Sequence, residues 1–258
     1  MRGWGELYRT SVGLGLRHLL RHGYLREAVV RIVVPLDPSR YLELPETLEE
    51  LAASPGQRVL DLASPKLLAV ALARRGVEVV SVDQLASEIE AWRTLTADQP
   101  RLRFEVADGR ALPFEDAGFD HACSVSVLEH IPEPGDEQAL RELARVTRPG
   151  GRVVVTVPYA AAFREDWRDA PVYADGGGGR GRHFFQRWYD DARLERLAAA
   201  APGLELVSRS VSRLRPNLNA LYTGTFPLLV PLGPAFGLLA RRREGPGGDV
   251  ARLTFRRA

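Results

Sequence analysis

Two aspartates stand where neighbouring strands of a predicted parallel sheet end. Asp83 closes the run Val77–Val82, and Asp108 follows the run Arg103–Val106. An ionised carboxylate only accepts hydrogen bonds, so an aspartate after the second strand can accept from both hydroxyls of a ribose. An aspartate just past the third strand can accept from an exocyclic amine. Each residue alone is also typical of a helix cap or a turn, but the pair predicts a site that holds a nucleoside without contacting phosphate.

Two histidines are candidates for a proton-accepting group. His130 follows the fourth predicted strand, and His183 lies in the segment Gly181–Phe185 after the fifth. Histidine suits a general base because its ordinary pKa is close to neutral pH. The alternative for each is a structural role, with the ring bonded to a backbone carbonyl. His121 lies inside the fourth strand and is expected to be a core residue.

These side chains depend on an alternation of strands and helices over residues 57–157. Short apolar runs alternate with stretches of helical spacing, which indicates right-handed βαβ units and a parallel sheet. In such sheets ligands bind beyond the carboxyl ends of the strands, where the strand order reverses. The predicted strands are Arg58–Ala63, Val77–Val82, Arg103–Val106, Phe119–Ser124 and Arg152–Val157, and the predicted helices are Lys66–Arg75, Ala86–Leu95 and Glu137–Thr147.

Over about residues 55–160 the chain resembles the class I S-adenosylmethionine-dependent methyltransferases, and within them the group that methylates small molecules such as quinones and lipids. The matching segments are Val59–Leu62, Val80–Asp83, Ala107–Phe114, Phe119–Asp120, Ser124–Pro132 and Arg145–Pro158. The resemblance implies an α/β, Rossmann-like fold with helices on both faces of a seven-stranded, mostly parallel sheet. Its strand order would be 3-2-1-4-5-7-6 with the last strand antiparallel, and Leu204–Val211 and Val250–Phe255 would supply the final two strands.

The same resemblance implies how S-adenosylmethionine would bind. Asp83 would hold the ribose, Asp108 the adenine amine, and Ser124 would border the methionine end. The full set of expected cofactor contacts is Asp61, Ala63, Ser64, Lys66, Asp83, Gln84, Asp108, Gly109 and Ser124. No metal is expected, because the chain has a single cysteine and no HxxxH or HExxH pair.

One motif departs from the family pattern. The first motif normally reads D-x-G-x-G-x-G, whereas Asp61–Leu67 contains no glycine. Ser64 and Pro65 are predicted to be the N-cap and first residue of a helix whose N-terminus would attract the carboxylate of the cofactor, with Lys66 as an added charge. The departure leaves two hypotheses: a variant cofactor loop, which we favour because the other motifs persist, or a non-catalytic binding or scaffold protein. A nicotinamide dehydrogenase is excluded, since GxGxxG is missing.

The flanking segments predict a cover and an insertion around the core. Residues 1–47 are expected to form an N-terminal helical cover or a lid, with apolar positions at Leu14, Leu16, Leu19, Leu20, Tyr24, Leu25 and Val29. The core is expected at 48–212 and 246–258, with an apolar insertion at 213–245 before the last strand. Pro216–Ala240 carries no charge and precedes three arginines, so it could be a pocket wall, a dimer contact or a wedge in a membrane interface.

The composition limits the kinds of binding partner that this protein is expected to have. The 258 residues carry a formal charge of +2, unevenly spread, with seven arginines against three acids in residues 1–40 and six against two in 241–258. Basic ends can face anionic lipid or nucleic acid, but no aromatic and basic platform for nucleic acid is visible. We expect a small-molecule acceptor, no nucleic acid and a cytoplasmic location. A homodimer and a peripheral membrane contact through 216–243 are left open.

Overall fold

The computed structural model describes residues 3–22, 28–29, 31–32, 40–170, 181–215, 241–244 and 249–258. Its helices are α1 (Trp4–His22), α2 (Arg40–Leu51), α3 (Leu67–Arg74), α4 (Ala86–Leu95), α5 (Gly135–Val146) and α6 (Asp191–Ala199), with a 3₁₀ turn at Leu128–His130. Its strands are β1 (Arg58–Leu62), β2 (Glu78–Asp83), β3 (Leu102–Val106), β4 (Phe119–Val125), β5 (Thr147–Pro158), β6 (Arg164–Arg168), β7 (His183–Trp188), β8 (Leu204–Arg215), β9 (Arg241–Glu244) and β10 (Val250–Arg257).

The central sheet has the order β3-β2-β1-β4-β5-β10-β8-β9. Neighbours among β1 to β5 are parallel, and β10 is antiparallel to both β5 and β8. The first seven strands of this order confirm the predicted fold, including the antiparallel last strand. The strand order reverses between β1 and β4, so the turns that follow these two strands lie side by side at the carboxyl edge of the sheet.

Apolar side chains fill both faces of the sheet. Apart from their first residues, β1 and β2 are buried throughout, as central strands of a parallel sheet must be. Helices α1 to α4 cover one face with a cluster that includes Leu7, Leu48 and Leu68. Helices α5 and α6 cover the other face, where Leu140 and Leu194 contribute. This arrangement confirms that helices lie on both faces.

The N-terminal segment is helical, but α1 buries other side chains than those expected. Leu14 is buried, whereas Leu20 is 83% exposed, and Leu16, Leu19 and Val29 are exposed as well. The buried stripe of α1 is instead Leu7, Thr10, Ser11 and Leu14. Because this stripe includes small polar residues, the apolar pattern identified only Leu14 among its members. The Ser11 hydroxyl is accommodated by donating to the carbonyl of Arg31 at 3.2 Å.

Strand β9 extends the sheet beyond the seven predicted strands. It pairs antiparallel with the end of β8, from Ser212 opposite Glu244 to Arg215 opposite Arg241. Arg215 and Arg241, which flank the uncharged segment 216–240 in the sequence, are therefore paired at the edge of the sheet. That segment lies outside the described residues, and so do Tyr24, Leu25 and residues 171–180. Within the ranges that are described, no helix combines the length and apolar character needed to cross a bilayer.

Strands β6 and β7 form a second, two-stranded antiparallel sheet that the sequence did not predict. The residues of β6, Arg-Glu-Asp-Trp-Arg, show no apolar alternation, so no strand pattern was visible. Within β7, Arg187 is almost fully buried and forms an ion pair with Asp136 of α5. Its guanidinium also donates to the carbonyl of Ile131 at 2.9 Å. This pair fixes β7 beside the turn that carries His130.

Candidate functional site

The turn after β1 bends sharply without a glycine. Ala63 has φ 50°, a left-handed conformation that side-chain-bearing residues rarely adopt. Its amide donates to the carbonyl of Val82 at 2.7 Å, which fixes the bend against β2. In the family motif a glycine stands at this position. The backbone shape of the glycine-containing loop is therefore retained here, at a conformational cost of about 1 kcal/mol.

Replacing Ala63 with glycine is expected to stabilise the protein by about 0.5–1 kcal/mol, because glycine adopts positive φ without this cost. The free energy of unfolding, measured by urea denaturation, checks this expectation. Ala73→Gly in α3 is the control, and it should destabilise by about 1 kcal/mol or more, because that residue is helical and buried. Equal losses in the two variants would contradict the assigned conformation.

Ser64 does not cap the next helix, so this prediction was wrong. Its hydroxyl accepts a hydrogen bond from the amide of Val125 at 3.0 Å. The helix α3 begins only at Leu67, after Lys66, and has no side-chain cap. Ser64 instead ties the turn after β1 to the end of β4. These are the two strands between which the strand order reverses.

Asp83 stands at the end of β2 as predicted, but it is paired with Lys66. The ammonium Nζ lies 2.8 Å from Asp83 Oδ2, and the two side chains are 1% and 9% exposed. Asp83 Oδ1 accepts from the amide of Leu85 at 3.1 Å, and the ammonium also donates to the carbonyl of Ser64 at 3.3 Å. Lys66 was expected to face the carboxylate of a cofactor. The structure places it on the carboxylate that was assigned to the ribose.

Asp61 lies in the interior of the sheet. Ser81 of β2 donates to its Oδ2 at 2.7 Å, and the Cys123 thiol of β4 lies 3.7 Å from its Oδ1. Burial raises the pKa of Asp61, and the nearby charge of Lys66 opposes that rise. Ser81 and Cys123 are also the register partners of Asp61 in the two neighbouring strands. The carboxyl group therefore joins three strands below the edge at which a ligand would bind.

Asp108 lies just past β3, with its side chain 41% exposed. Arg110 holds it through its backbone amide at 2.9 Å and through its guanidinium, from Nε at 3.0 Å and from Nη2 at 2.7 Å. These bonds lower the pKa of Asp108 below its ordinary value and keep it ionised. The next residue, Gly109, is buried, and a Cβ there would lie 2.8 Å from a methyl group of Leu62. Glycine is thus required for the turn to approach β1.

The remaining expected cofactor contacts lie at the ends of β2 and β4. Gln84 is exposed directly after β2. Ser124 is fully buried in β4, and its hydroxyl has no hydrogen-bond partner among the residues that the structure describes. A buried hydroxyl without a partner is uncommon in folded proteins. Ser124 therefore retains hydrogen-bonding capacity beside the turn that ends at Lys66.

His130 is oriented by the second sheet. Its Nδ1 lies 2.8 Å from the carbonyl oxygen of Phe185 in β7, which requires the proton on Nδ1 and leaves the lone pair on Nε2. Nε2 lies 3.7 Å from Glu129 Oε1. Burial lowers the pKa of His130, so the ring is neutral at neutral pH. His183 is the first residue of β7 and half-buried, so this strand brings both histidine segments to the same side of the molecule.

Glu129 is a buried acid next to this ring. Burial raises its pKa to about 8, and the charge of Glu43 acts in the same direction. Its Oε2 has no hydrogen-bond partner in the part of the chain that is described. At neutral pH the carboxyl group is therefore mostly protonated. A protonated acid and a neutral imidazole stand side by side, and together they can accept or pass a proton.

Sequence reasoning missed Glu43, which connects α2 to this site. Its carboxylate accepts from the hydroxyls of Ser126 at 2.6 Å and Thr156 at 2.9 Å, and from Arg40 Nη1 at 2.7 Å. Glu43 is buried, so the N-terminal segment reaches the end of β4. A single glutamate in an amphipathic helix gives no sequence signal that separates it from a solvated one.

His121 has the structural role that was predicted. Its Nδ1 accepts from the amide of Arg152 at 3.0 Å, and Nε2 lies 3.3 Å from Gln57 Oε1. Burial lowers its pKa. The ring links β4 to β5 at the opposite end of β4 from His130 and takes no part in the candidate site.

The strand order agrees with comparisons to known proteins. Residues 60–155 match the family profile described as a methyltransferase domain. Over these residues the chain matches a methyltransferase domain, and the strand order is the one that the resemblance to class I methyltransferases implies. Among curated relatives, a demethylmenaquinone methyltransferase of Clavibacter sepedonicus is 37% identical over 110 residues, which are 42% of this chain and 44% of that relative. The chain thus spans less than half of that relative.

Two solved structures have the same fold at low sequence identity. The 1,6-didemethyltoxoflavin-N1-methyltransferase of Burkholderia thailandensis, determined with S-adenosylhomocysteine bound, gives a TM-score of 0.56 at 20% identity and covers 95% of this chain and 88% of its own. The (4+2)-cyclase SpnF gives a TM-score of 0.55 at 20% identity, with 83% and 80% covered. At this identity the likeness shows the fold alone, and the cyclase illustrates that one fold serves different reactions.

Proposed function

We propose that this chain transfers a methyl group from S-adenosylmethionine to a small, apolar or lipid-like acceptor. The observation that carries the proposal is the Glu129–His130 pair, held at the end of β4 beside the point where the strand order reverses. The matched domain and the aspartates at the ends of β2 and β3 support it. The name of the curated relative, a demethylmenaquinone methyltransferase, supports a quinone-like or lipid-like acceptor.

The residues at the carboxyl edge of the sheet fit a sulfonium nucleoside once its ribose replaces the Lys66 ammonium at Asp83. Asp108 is partly exposed and, although Arg110 binds it, a carboxylate has lone pairs for a further donor such as an adenine amine. The buried Ser124 hydroxyl can bond the methionine end. Asp83 can bind the ribose once Lys66 releases it. Bound S-adenosylmethionine would supply an electrophilic methyl group on its sulfonium.

His130 is the residue proposed to take the proton of the acceptor. Its tautomer is set by the Phe185 carbonyl, so Nε2 is the basic atom. The neighbouring Glu129 is mostly protonated, and so adds little negative charge beside the sulfonium while keeping a second proton position within reach. Positioning and exclusion of water contribute the rest of the rate, because methyl transfer is an in-line displacement. His183 is the second candidate for the same role.

Calorimetric titration with S-adenosylhomocysteine tests the cofactor proposal. We expect micromolar binding to the unaltered chain and about tenfold weaker binding to Asp108→Ala, a loss of about 1.4 kcal/mol. Asp108 is suited to this test because it is partly exposed, so its removal should leave the fold intact. Asp116→Ala is the matched control, since that aspartate lies away from the site and is 78% exposed. Equal affinities in Asp108→Ala and Asp116→Ala would contradict the assignment of Asp108.

A kinetic comparison tests His130. With demethylmenaquinone as the first acceptor, His130→Asn should lower kcat by about 100-fold, the usual contribution of a general base. Its affinity for S-adenosylhomocysteine should stay within about twofold, because the asparagine amide can still donate to the Phe185 carbonyl from the position of Nδ1. A loss of binding instead of turnover would contradict the proposed role.

The alternative function is a non-catalytic protein that keeps the methyltransferase fold. The observation in its favour is the Lys66–Asp83 ion pair, which occupies the predicted ribose acceptor. This alternative predicts no binding of S-adenosylhomocysteine, so the same titration distinguishes the two functions.

A further inference from the structure

The only lysine of the chain is buried against the acid that a nucleoside would need. Lysine and arginine number 35 in total, and 34 of these are arginine, so Lys66 is the one ammonium group on a side chain. Lysine is seldom fully buried unless it is paired. Here the pairing is with Asp83, whose other oxygen is bound by the Leu85 amide. The Lys66 ammonium and the Leu85 amide thus engage both oxygens of Asp83 with groups of the chain itself.

The ribose of a nucleoside and the Lys66 ammonium require the same carboxylate oxygen. Asp83 can accept from two ribose hydroxyls only if at least one oxygen faces the ligand, and its residue is 7% exposed while Lys66 covers Oδ2. The ammonium lies 3.3 Å from the carbonyl of Ser64, in the turn that the family's glycines would form. The Lys66 ammonium therefore lies at the end of β1, against the loop in which the family motif has glycines.

Lysine is also suited to leaving this position. Its ammonium is a compact charge on a flexible four-carbon stem, whereas arginine binds a carboxylate as a rigid fork. The ammonium has one charged partner and one carbonyl partner among the described contacts. Lys66 precedes α3 and is not within a regular helix, so rotation of its stem does not require the helix to move.

We propose that Lys66 competes with the ribose for Asp83, so that a nucleoside binds only when its hydroxyl groups replace the ammonium. The inference rests on the proposed function, because it concerns the same nucleoside site. It follows that Lys66 lowers the affinity for the cofactor. It also follows that ligands without a ribose diol cannot release Asp83 and should bind less well.

Chemical modification of the unaltered protein provides the first test. An N-hydroxysuccinimide ester modifies amines, and mass spectrometry reports the peptide that contains Lys66. In the free protein Lys66 should react slowly, because it is buried and ion-paired. Saturating S-adenosylhomocysteine should raise its rate at least about tenfold, while the α-amino group reacts at the same rate with and without ligand. A Lys66 rate that is unchanged or slower with bound ligand would overturn the proposal.

Calorimetry on Lys66→Met provides the second test. Methionine keeps the length of the side chain without the charge, and Arg103→Met removes an exposed positive charge from β3 as the matched control. We expect Lys66→Met to bind S-adenosylhomocysteine at least about tenfold more tightly than the unaltered chain, and Arg103→Met to bind as the unaltered chain does. The gain in affinity of Lys66→Met over the unaltered chain should be larger for adenosine than for 2′-deoxyadenosine, which lacks one of the two ribose hydroxyls.

The outcomes separate this inference from the proposed function. Binding to the unaltered chain that is equal to or tighter than binding to Lys66→Met overturns the competition and leaves the proposed function in place. Binding to Lys66→Met alone supports the competition and contradicts the proposed function of the unaltered chain. Binding to neither chain overturns both. If Lys66→Met does not fold, the rate of chemical modification in the unaltered protein decides.

Discussion

Asp83→Ala is expected to lower the free energy of unfolding by about 3–5 kcal/mol, because it leaves the buried ammonium of Lys66 without a counter-charge. The pair is almost fully buried, so water does not solvate the remaining charge. The double variant Asp83→Ala/Lys66→Met should recover most of this loss, since it buries no charge at all. Urea denaturation of the two single variants and the double variant gives the coupling energy directly.

A matched exposed pair serves as the control. Glu105→Ala should change the free energy of unfolding by less than about 0.5 kcal/mol, because Arg103 is exposed, Glu105 is partly exposed and their charged atoms are 4.0 Å apart. If the double variant is no more stable than Asp83→Ala, the unpaired charge of Lys66 is not the cause of the lost free energy of unfolding. The same cycle shows why Asp108, and not Asp83, is the residue to alter in a binding experiment. A variant at Asp83 would change stability and affinity together.

Glu129 should make the protein less stable as the pH rises. Its ordinary pKa of 4.5 is raised to about 8 in the folded protein by burial. The folded state therefore holds a proton that the unfolded state releases, and stability is fully present below pH 4.5. Between pH 4.5 and about 8 this group should lower the free energy of unfolding by about 1.4 kcal/mol per pH unit. Glu129→Gln, which stays neutral, should remove this slope.

Glu142 provides the control of opposite sign. Hydrogen bonds from Arg145 lower the pKa of Glu142, so its contribution is present above its ordinary pKa and is lost as the pH falls. Glu142→Gln should therefore flatten the acid side of the stability profile and leave the region above pH 5 unchanged in slope. Urea denaturation of the three proteins from about pH 3 to about pH 9 checks both signs. An identical slope in Glu129→Gln and the unaltered chain between pH 5 and 8 would contradict the assignment.

The fold could be predicted because its central elements carry strong local signals. The strands of the parallel region are short apolar runs that end at charged or turn-forming residues, and α4 was predicted at Ala86–Leu95, the bounds that it has. By contrast, β6 has no apolar alternation, and α1 buries Thr10 and Ser11 while exposing Leu20. In both cases packing against neighbouring elements overrides the hydropathy pattern.

The site could be predicted only in part, because its main interactions join distant segments. Asp83 was found from its place at the end of β2, but nothing local shows that Lys66, seventeen residues earlier, reaches it. Similarly, Glu43 lies 83 residues before Ser126, and Phe185 lies 55 residues after His130. Ser64 was assigned to a helix cap by its position before Pro65. Its hydroxyl bonds β4 instead, and only the tertiary structure shows this.

The carboxyl edge of β1, β2 and β3 is proposed to bind a sulfonium nucleoside. A crystal structure of the full chain with S-adenosylhomocysteine would locate the ligand. The prediction is that the ribose hydroxyls lie within hydrogen-bond distance of Asp83, the adenine amine lies near Asp108, and the Lys66 ammonium has moved away. Density for the ligand elsewhere, with Lys66 still bound to Asp83, would rule out this nucleoside site.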